Sequence, residues 1–366
     1  MNQQQQQACL SPQSFEYELL PQMTLPQQEW CYAISINYDN SLMVSASQFD
    51  IKIYKILIPQ QQEDQSQATG TFKEIQFLKG YHTNYVTTLN FFKSQRNSFI
   101  SGSTDSTIII WSPLNNQSST LKLNNWTATC KLNDHSSWIT CIVVNPISDD
   151  FFISGSEDHT LKFWLCSEPN MESSNLSWSN IQTISDHNSC VQGLSINQEG
   201  NKLISCGDDD KQILIMEGSK KEIWQVKQKI HLEGSLMRLS FITNNIFAIQ
   251  QQLKEYLQFY TKNQTSGEYL KSKLLPIQTE SCAIYFPSIY VPSKNLLFHK
   301  NGYNVNLISF NLSASLTEWD CRLEQTIDFG ENSTFGTISD NGELLITWDY
   351  KSSSIQFRQY KDKSQA

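Results

Sequence analysis

Three histidines in this 366-residue chain each stand ahead of a serine and an aspartate, and those side-chain types are the parts of a hydrolytic site. His82 precedes Ser101 and Asp105, and His135 precedes Ser154 and Asp158. His187 precedes Ser205 and the acid run Asp208, Asp209 and Asp210. An imidazole that draws a proton from a hydroxyl, itself held by a carboxylate, is how a serine becomes a nucleophile. The recurrence argues the other way, because a catalytic group is normally single whereas a position that repeats is a folding requirement. The motifs that would place a reacting group are absent: there is no GxSxG, P-loop, post-strand GxGxxG or HExxH. The acid run suggests a cation site, but the further oxygens a Ca²⁺ ion takes are not evident nearby, and a turn of acids reads as solvated. His159 falls in a hairpin turn, and His231 and His299 show no partners. No enzyme, metal or cofactor is expected.

The elements that position these residues come in repeats. Residues 99–111 read FISGSTDSTIIIW and residues 152–164 read FISGSEDHTLKFW, the same segment displaced along the chain. A third copy, LISCGDDDKQILIM at 203–216, carries one extra Asp in its turn and Met216 in place of Trp; a shorter one, MVSASQFDIKIY, lies at 43–54. Each copy is an apolar strand, a tight polar turn and a strand alternating to a final large side chain, which makes a hairpin. A further strand precedes each hairpin (YAISINY at 32–38, YVTTLNFF at 85–92, WITCIVV at 138–144, CVQGLSI at 190–196), and an outer strand follows it, as in WTATCKLNDH at 126–135. Four antiparallel strands cannot bury both faces of their own sheet, so such sheets stack radially and close into a ring.

The pattern of His followed by SGSxDxTIxIW resembles the WD40 family. That resemblance implies an all-β propeller of four-stranded blades, most simply seven, with six or eight as the alternatives. It also implies a hydrogen-bonded structural tetrad in each well-kept blade. The members would be His82, Ser101, Asp105 and Trp111; His135, Ser154, Asp158 and Trp164; and His187, Ser205 and Asp209, with Met216 leaving the last incomplete. Weaker blades are read at 236–260, 282–310 and 334–360. The last runs out of chain after its third strand, so the segment FEYELLPQMTL at 15–25 is expected to complete it and close the ring. Residues 1–14 read as a Gln-rich tail, 15–361 as the propeller and 362–366 as a short tail. The loops at 58–70 and 112–125 lengthen the repeats.

The net charge of −9 and the lack of any Lys/Arg cluster exclude a nucleic-acid interface of the usual basic kind. No apolar run reaches membrane-spanning length. The nine cysteines are odd in number and form no Cys-x-x-Cys pair, and several sit in apolar strands, which fits a reducing, cytoplasmic setting. The chain is therefore expected to hold other proteins as a scaffold or adaptor. The alternatives are a dedicated subunit of one assembly, such as the cytosolic iron–sulfur machinery, or a ubiquitin-ligase substrate receptor. The residue opening the first strand is Trp30, Tyr85 and Trp138 in three successive blades. These rings, with Asp208, Asp209 and Asp210, form a candidate partner patch; the competing reading has them packing on the neighbouring blade.

Overall fold

The computed structural model describes residues 15–57, 71–93, 97–114, 125–167, 177–278, 286–313 and 318–363. The Gln-rich segment 1–14, the loop at 58–70 and most of that at 112–125 lie outside the described residues, as do 282–285 and 364–366.

Seven antiparallel sheets form a single seven-bladed ring. In blade 3 the strands run Ile139–Val144 (a, innermost), Phe151–Ser156 (b), Leu161–Cys166 (c) and Trp178–Ile184 (d, outermost). Six sheets take their four strands consecutively. The seventh takes Thr334–Ile338, Leu344–Asp349 and Ser354–Asp362 from the C-terminal end and Phe15–Leu19 from the N-terminal end, with Phe15 opposite Asp362 and Leu19 opposite Arg358. Closure by an early strand removes the exposed sheet edge that an open ring would leave. The Tyr17 hydroxyl fastens it, donating to the Gly342 carbonyl at 2.6 Å. The c strand ends at Asp362, one residue past the expected boundary. Among the described residues, helix is confined to two single 3-10 turns, Pro21–Met23 and Pro292–Lys294.

The core lies between blades rather than within them. One buried cluster joins Phe92, Ile100 and Ile110 of blade 2 to Ile142, Phe152 and Trp164 of blade 3. Near the channel the a and b strands trade bulk, which explains the small residues of the repeat. Thr88 faces Gly102, Cys141 faces Gly155, and in blade 4 the order reverses, with Gly193 facing Cys206. A Cβ on Gly155 would stand 2.6 Å from Val191 Cγ1 of the next blade and 2.8 Å from Cys141 Sγ. In blades 2 and 3 the b-strand member must be glycine because the next blade's inner strand, at Ile139 and Val191, occupies the space.

A glutamine device, not foreseen from sequence, ties the outer strands together. The Gln182 side-chain amide donates to the Trp224 carbonyl at 2.7 Å, and its oxygen accepts the Trp224 N–H at 2.9 Å. Gln76 holds Trp126 in the same way, and Gln228 holds Tyr269. Gln325 holds Tyr17 across the closure. Each amide meets one donor and one acceptor of a strand edge that has no strand beside it.

Candidate functional site on the top face

The d–a loops and b–c turns meet on one face of the disc, here the top, and both groups of singled-out residues lie there. In blade 3, His135 Nδ1 lies 2.8 Å from Asp158 Oδ2 and its Nε2 lies 2.8 Å from Ser154 Oγ, which is also 2.9 Å from Trp164 Nε1. The indole can only donate, so Ser154 Oγ accepts from it and gives its own proton to His135 Nε2; Nδ1–H then donates to the carboxylate. Blade 2 repeats the arrangement, with His82 at 3.1 Å from Asp105 and 2.8 Å from Ser101, and Trp111 Nε1 at 2.9 Å from that serine.

Blade 4 requires a correction. The carboxylate that pairs with His187 belongs to Asp210, at 2.6 Å, and not to Asp209. The His-to-Asp spacing is 23 residues in all three blades, while His to Ser is 19, 19 and 18. The extra residue therefore sits between Ser205 and the carboxylate. The residue after the paired aspartate takes positive φ each time: Ser106 (68°), His159 (68°) and Lys211 (52°). The turn is preserved from that aspartate onward, and the constant spacing of 23 was the signal in the sequence.

Burial works hardest against ionisation of Asp105 and Asp158. The histidine hydrogen bond, the Thr107 or Thr160 hydroxyl and the Thr83 or Ser136 N–H outweigh it and hold both carboxyls well below the usual range. In Asp210 burial is likewise overcome, by His187 and Gln212. Ser101, Ser154 and Ser205 are fully buried, so in this arrangement their hydroxyls have no path to a substrate. Among the described residues no group of three or more His, Cys, Asp or Glu could hold a metal ion. His299, expected to stand alone, is buried and pushed down to about 3 by burial and by Arg238. It occupies the tetrad-serine position of blade 6, with Ser288 Oγ at 2.5 Å and Gln250 Oε1 at 3.3 Å.

The rim of the channel carries the same backbone hydrogen bond in blades 1 to 5 and 7. The N–H after strand b donates to the carbonyl of the residue that opens strand a. Gln48 donates to Trp30, Thr104 to Tyr85, Glu157 to Trp138, Asp208 to Cys190 and Gln252 to Ser235, all at 2.9 Å; Tyr350 donates to Ser333 at 3.3 Å. The candidate aromatic column lies on this rim, but its members differ. Trp30 stacks on Tyr350 of blade 7 (5.0 Å, 20°) and on Tyr32 (5.5 Å, 23°), and Tyr85 meets Tyr32 and Phe49 edge-on. These rings form one aromatic group across blades 7, 1 and 2, open to solvent at Tyr350 (56% exposed) and Phe49 (40%). Tyr32, Phe49 and Tyr350 were not singled out from sequence, although Tyr350 occupies the rim position of its turn. Trp138 stands apart, 43% exposed and without a ring contact to another described residue. Beneath the rim the seven a strands enclose a cavity of about 600 Å³, lined by hydroxyls such as Thr87 and Thr140 and by aliphatic side chains.

The family model for the WD domain, G-beta repeat, matches residues 72–112, 126–164 and 178–216. Each match begins in the outer strand of one blade and ends in strand c of the next, so the sequence repeat is offset from the blade by one strand. This is a WD40-repeat protein. The three matched repeats supply the tetrad blades, and the offset explains why the WD40 ring closes with its first strand in the last sheet. Propellers of this family generally serve as protein-interaction scaffolds and are typically non-enzymatic. No relative among curated proteins matches the chain. Among the described residues no helix is long and apolar enough to cross a membrane.

Proposed function

We propose that this protein is a non-enzymatic scaffold that holds a protein partner on its top face over blades 7, 1 and 2. The observation that carries the reading is the aromatic group Tyr350, Trp30, Tyr32, Tyr85 and Phe49, half-buried in its middle and exposed at both ends. Rings fixed by their neighbours lose little freedom on binding and offer much area, which is why Trp and Tyr dominate hot spots. The free thiols of all seven described cysteines support a reducing, cytoplasmic setting.

The test removes only the exposed rings. Full-length wild type and Tyr350→Ala/Phe49→Ala are expressed with the same affinity tag, and retained proteins are quantified by mass spectrometry. The double variant is expected to keep its melting temperature within about 2 °C, since exposed rings contribute little to folding, and to lose most of its retained partners. One stoichiometric set in the wild type identifies a subunit of a single assembly, and many weak ones a general adaptor. An unchanged partner profile in the double variant rejects the top-face scaffold.

A further inference from the structure

The logic that makes the tetrad structural gives the opposite answer at the rim. A side chain required by the fold should recur at its position, and the rim position after strand b does not repeat. It is Gln48, Thr104, Gln252 and Tyr350 in blades 1, 2, 5 and 7, yet Glu157 in blade 3 and Asp208 in blade 4, all making the same backbone bond. The fold accepts a neutral side chain there, so the acids of blades 3 and 4 are not needed for the turn.

Resting on the scaffold reading, we propose that the rim of blades 3 and 4 receives lysine or arginine side chains of a partner protein, with Trp138 as the ring face and Glu157, Asp208 and Asp209 as the carboxylates. Among the described residues the hydrogen-bond partners of these carboxylates are uncharged. Glu157 accepts the Ser137 hydroxyl at 2.6 Å, Asp209 accepts that of Ser235 at 3.3 Å, and Gln192 hydrogen-bonds Asp208. Their negative charge is felt locally. Burial, Asp209 and Asp210 together push the Asp208 carboxyl up. The Cys190 thiol, which faces both blades, is pushed up to about 12 by burial, then by Cys141, Glu157, Asp208 and Asp158. The one Lys or Arg in these two turns, the exposed Lys211, is outnumbered by five acids, Glu157, Asp158, Asp208, Asp209 and Asp210.

A guanidinium or ammonium laid on Trp138 would meet both the ring face and the carboxylates, two attractions that reinforce each other when water is displaced. The chain does not supply this occupant from its N-terminal segment, because residues 1–14 contain no Lys or Arg. The group sits on blades 3 and 4, which follow the aromatic group of blades 7, 1 and 2 around the ring. One partner segment crossing the face could use both.

Fluorescence anisotropy with the full chain tests this, using a fluorescein-labelled dodecapeptide of alternating Gly with Lys and Arg. Glu157→Gln/Asp208→Asn/Asp209→Asn is compared with Glu222→Gln/Glu268→Gln/Glu318→Gln, a charge-matched change at exposed positions away from the top face. The rim triple is expected to weaken binding about tenfold and the control triple less than twofold. Trp138→Ala should weaken it several-fold while Trp138→Tyr retains it. Equal weakening by both triples would mean the peptide senses only net charge, and the absence of saturable binding in the wild type would also overturn the proposal. So would stoichiometric Ca²⁺ binding by calorimetry that the rim triple abolishes. Cellular partners retained by the rim triple but lost with Tyr350→Ala/Phe49→Ala would reject the basic-segment site and leave the scaffold standing.

Discussion

Replacing the tetrad serine by alanine should cost about twice as much in blade 3 as in blade 4. Ser154 Oγ is shared by two buried groups, the Trp164 indole N–H at 2.9 Å and His135 Nε2 at 2.8 Å. Ser205 Oγ serves His187 Nε2 alone, at 2.8 Å, because Met216 stands where the tryptophan would be. Each buried polar group left without a partner costs about 1–3 kcal/mol. Ser154→Ala, which orphans two, should therefore lose roughly 2–6 kcal/mol, and Ser205→Ala roughly 1–3 kcal/mol. An unfolding entropy of about 2.1 cal/mol/K per residue over 366 residues makes 1 kcal/mol worth about 1.3 °C. The expected falls in melting temperature are then ~3–8 °C and ~1–4 °C. Urea unfolding followed by tryptophan fluorescence, with unchanged m-values, separates a stability change from a change in the unfolded chain. Equal losses at the two serines would refute the shared-acceptor reasoning, since the indole would then contribute nothing.

Two other outcomes follow from the same geometry. Asp105, Asp158 and Asp210 are all held below their unfolded values, so their contribution is complete above the ordinary carboxylate range near pH 4 and drains away as pH falls from about 5. In acid titration monitored by circular dichroism, Asp158→Asn should be less stable than wild type at pH 7, with the gap closing toward pH 3; a gap of constant size contradicts the assignment. Gly155→Ala pushes a methyl into Val191 and Cys141 and should cost about 1–3 kcal/mol by urea denaturation, and a second change, Cys141→Ala, should recover part of it.

The sequence by itself determined the blade. Hairpin alternation, the placing of His, Ser and Asp, and the missing last strand are local or repeated features, and each follows from the pairing rules of a few consecutive residues. That is why the seven sheets and the closing strand Phe15–Leu19 were legible before any coordinates. The choice between Asp209 and Asp210 was not read correctly. An inserted residue shifts the local pattern, whereas a distance set across two strands, from His187 to its carboxylate, stays fixed. The rest depended on residues far apart in the chain. Trp30 stacks on Tyr350 only because the ring closes, and Gln325 reaches Tyr17 for the same reason. Trp30, Tyr85 and Trp138 share one register position, yet their neighbours differ: Trp30 and Tyr85 meet rings from the adjacent blade, and Trp138 is exposed to solvent. Register along a strand is written in the sequence; what stands opposite a side chain across the gap between blades is decided by the closed ring.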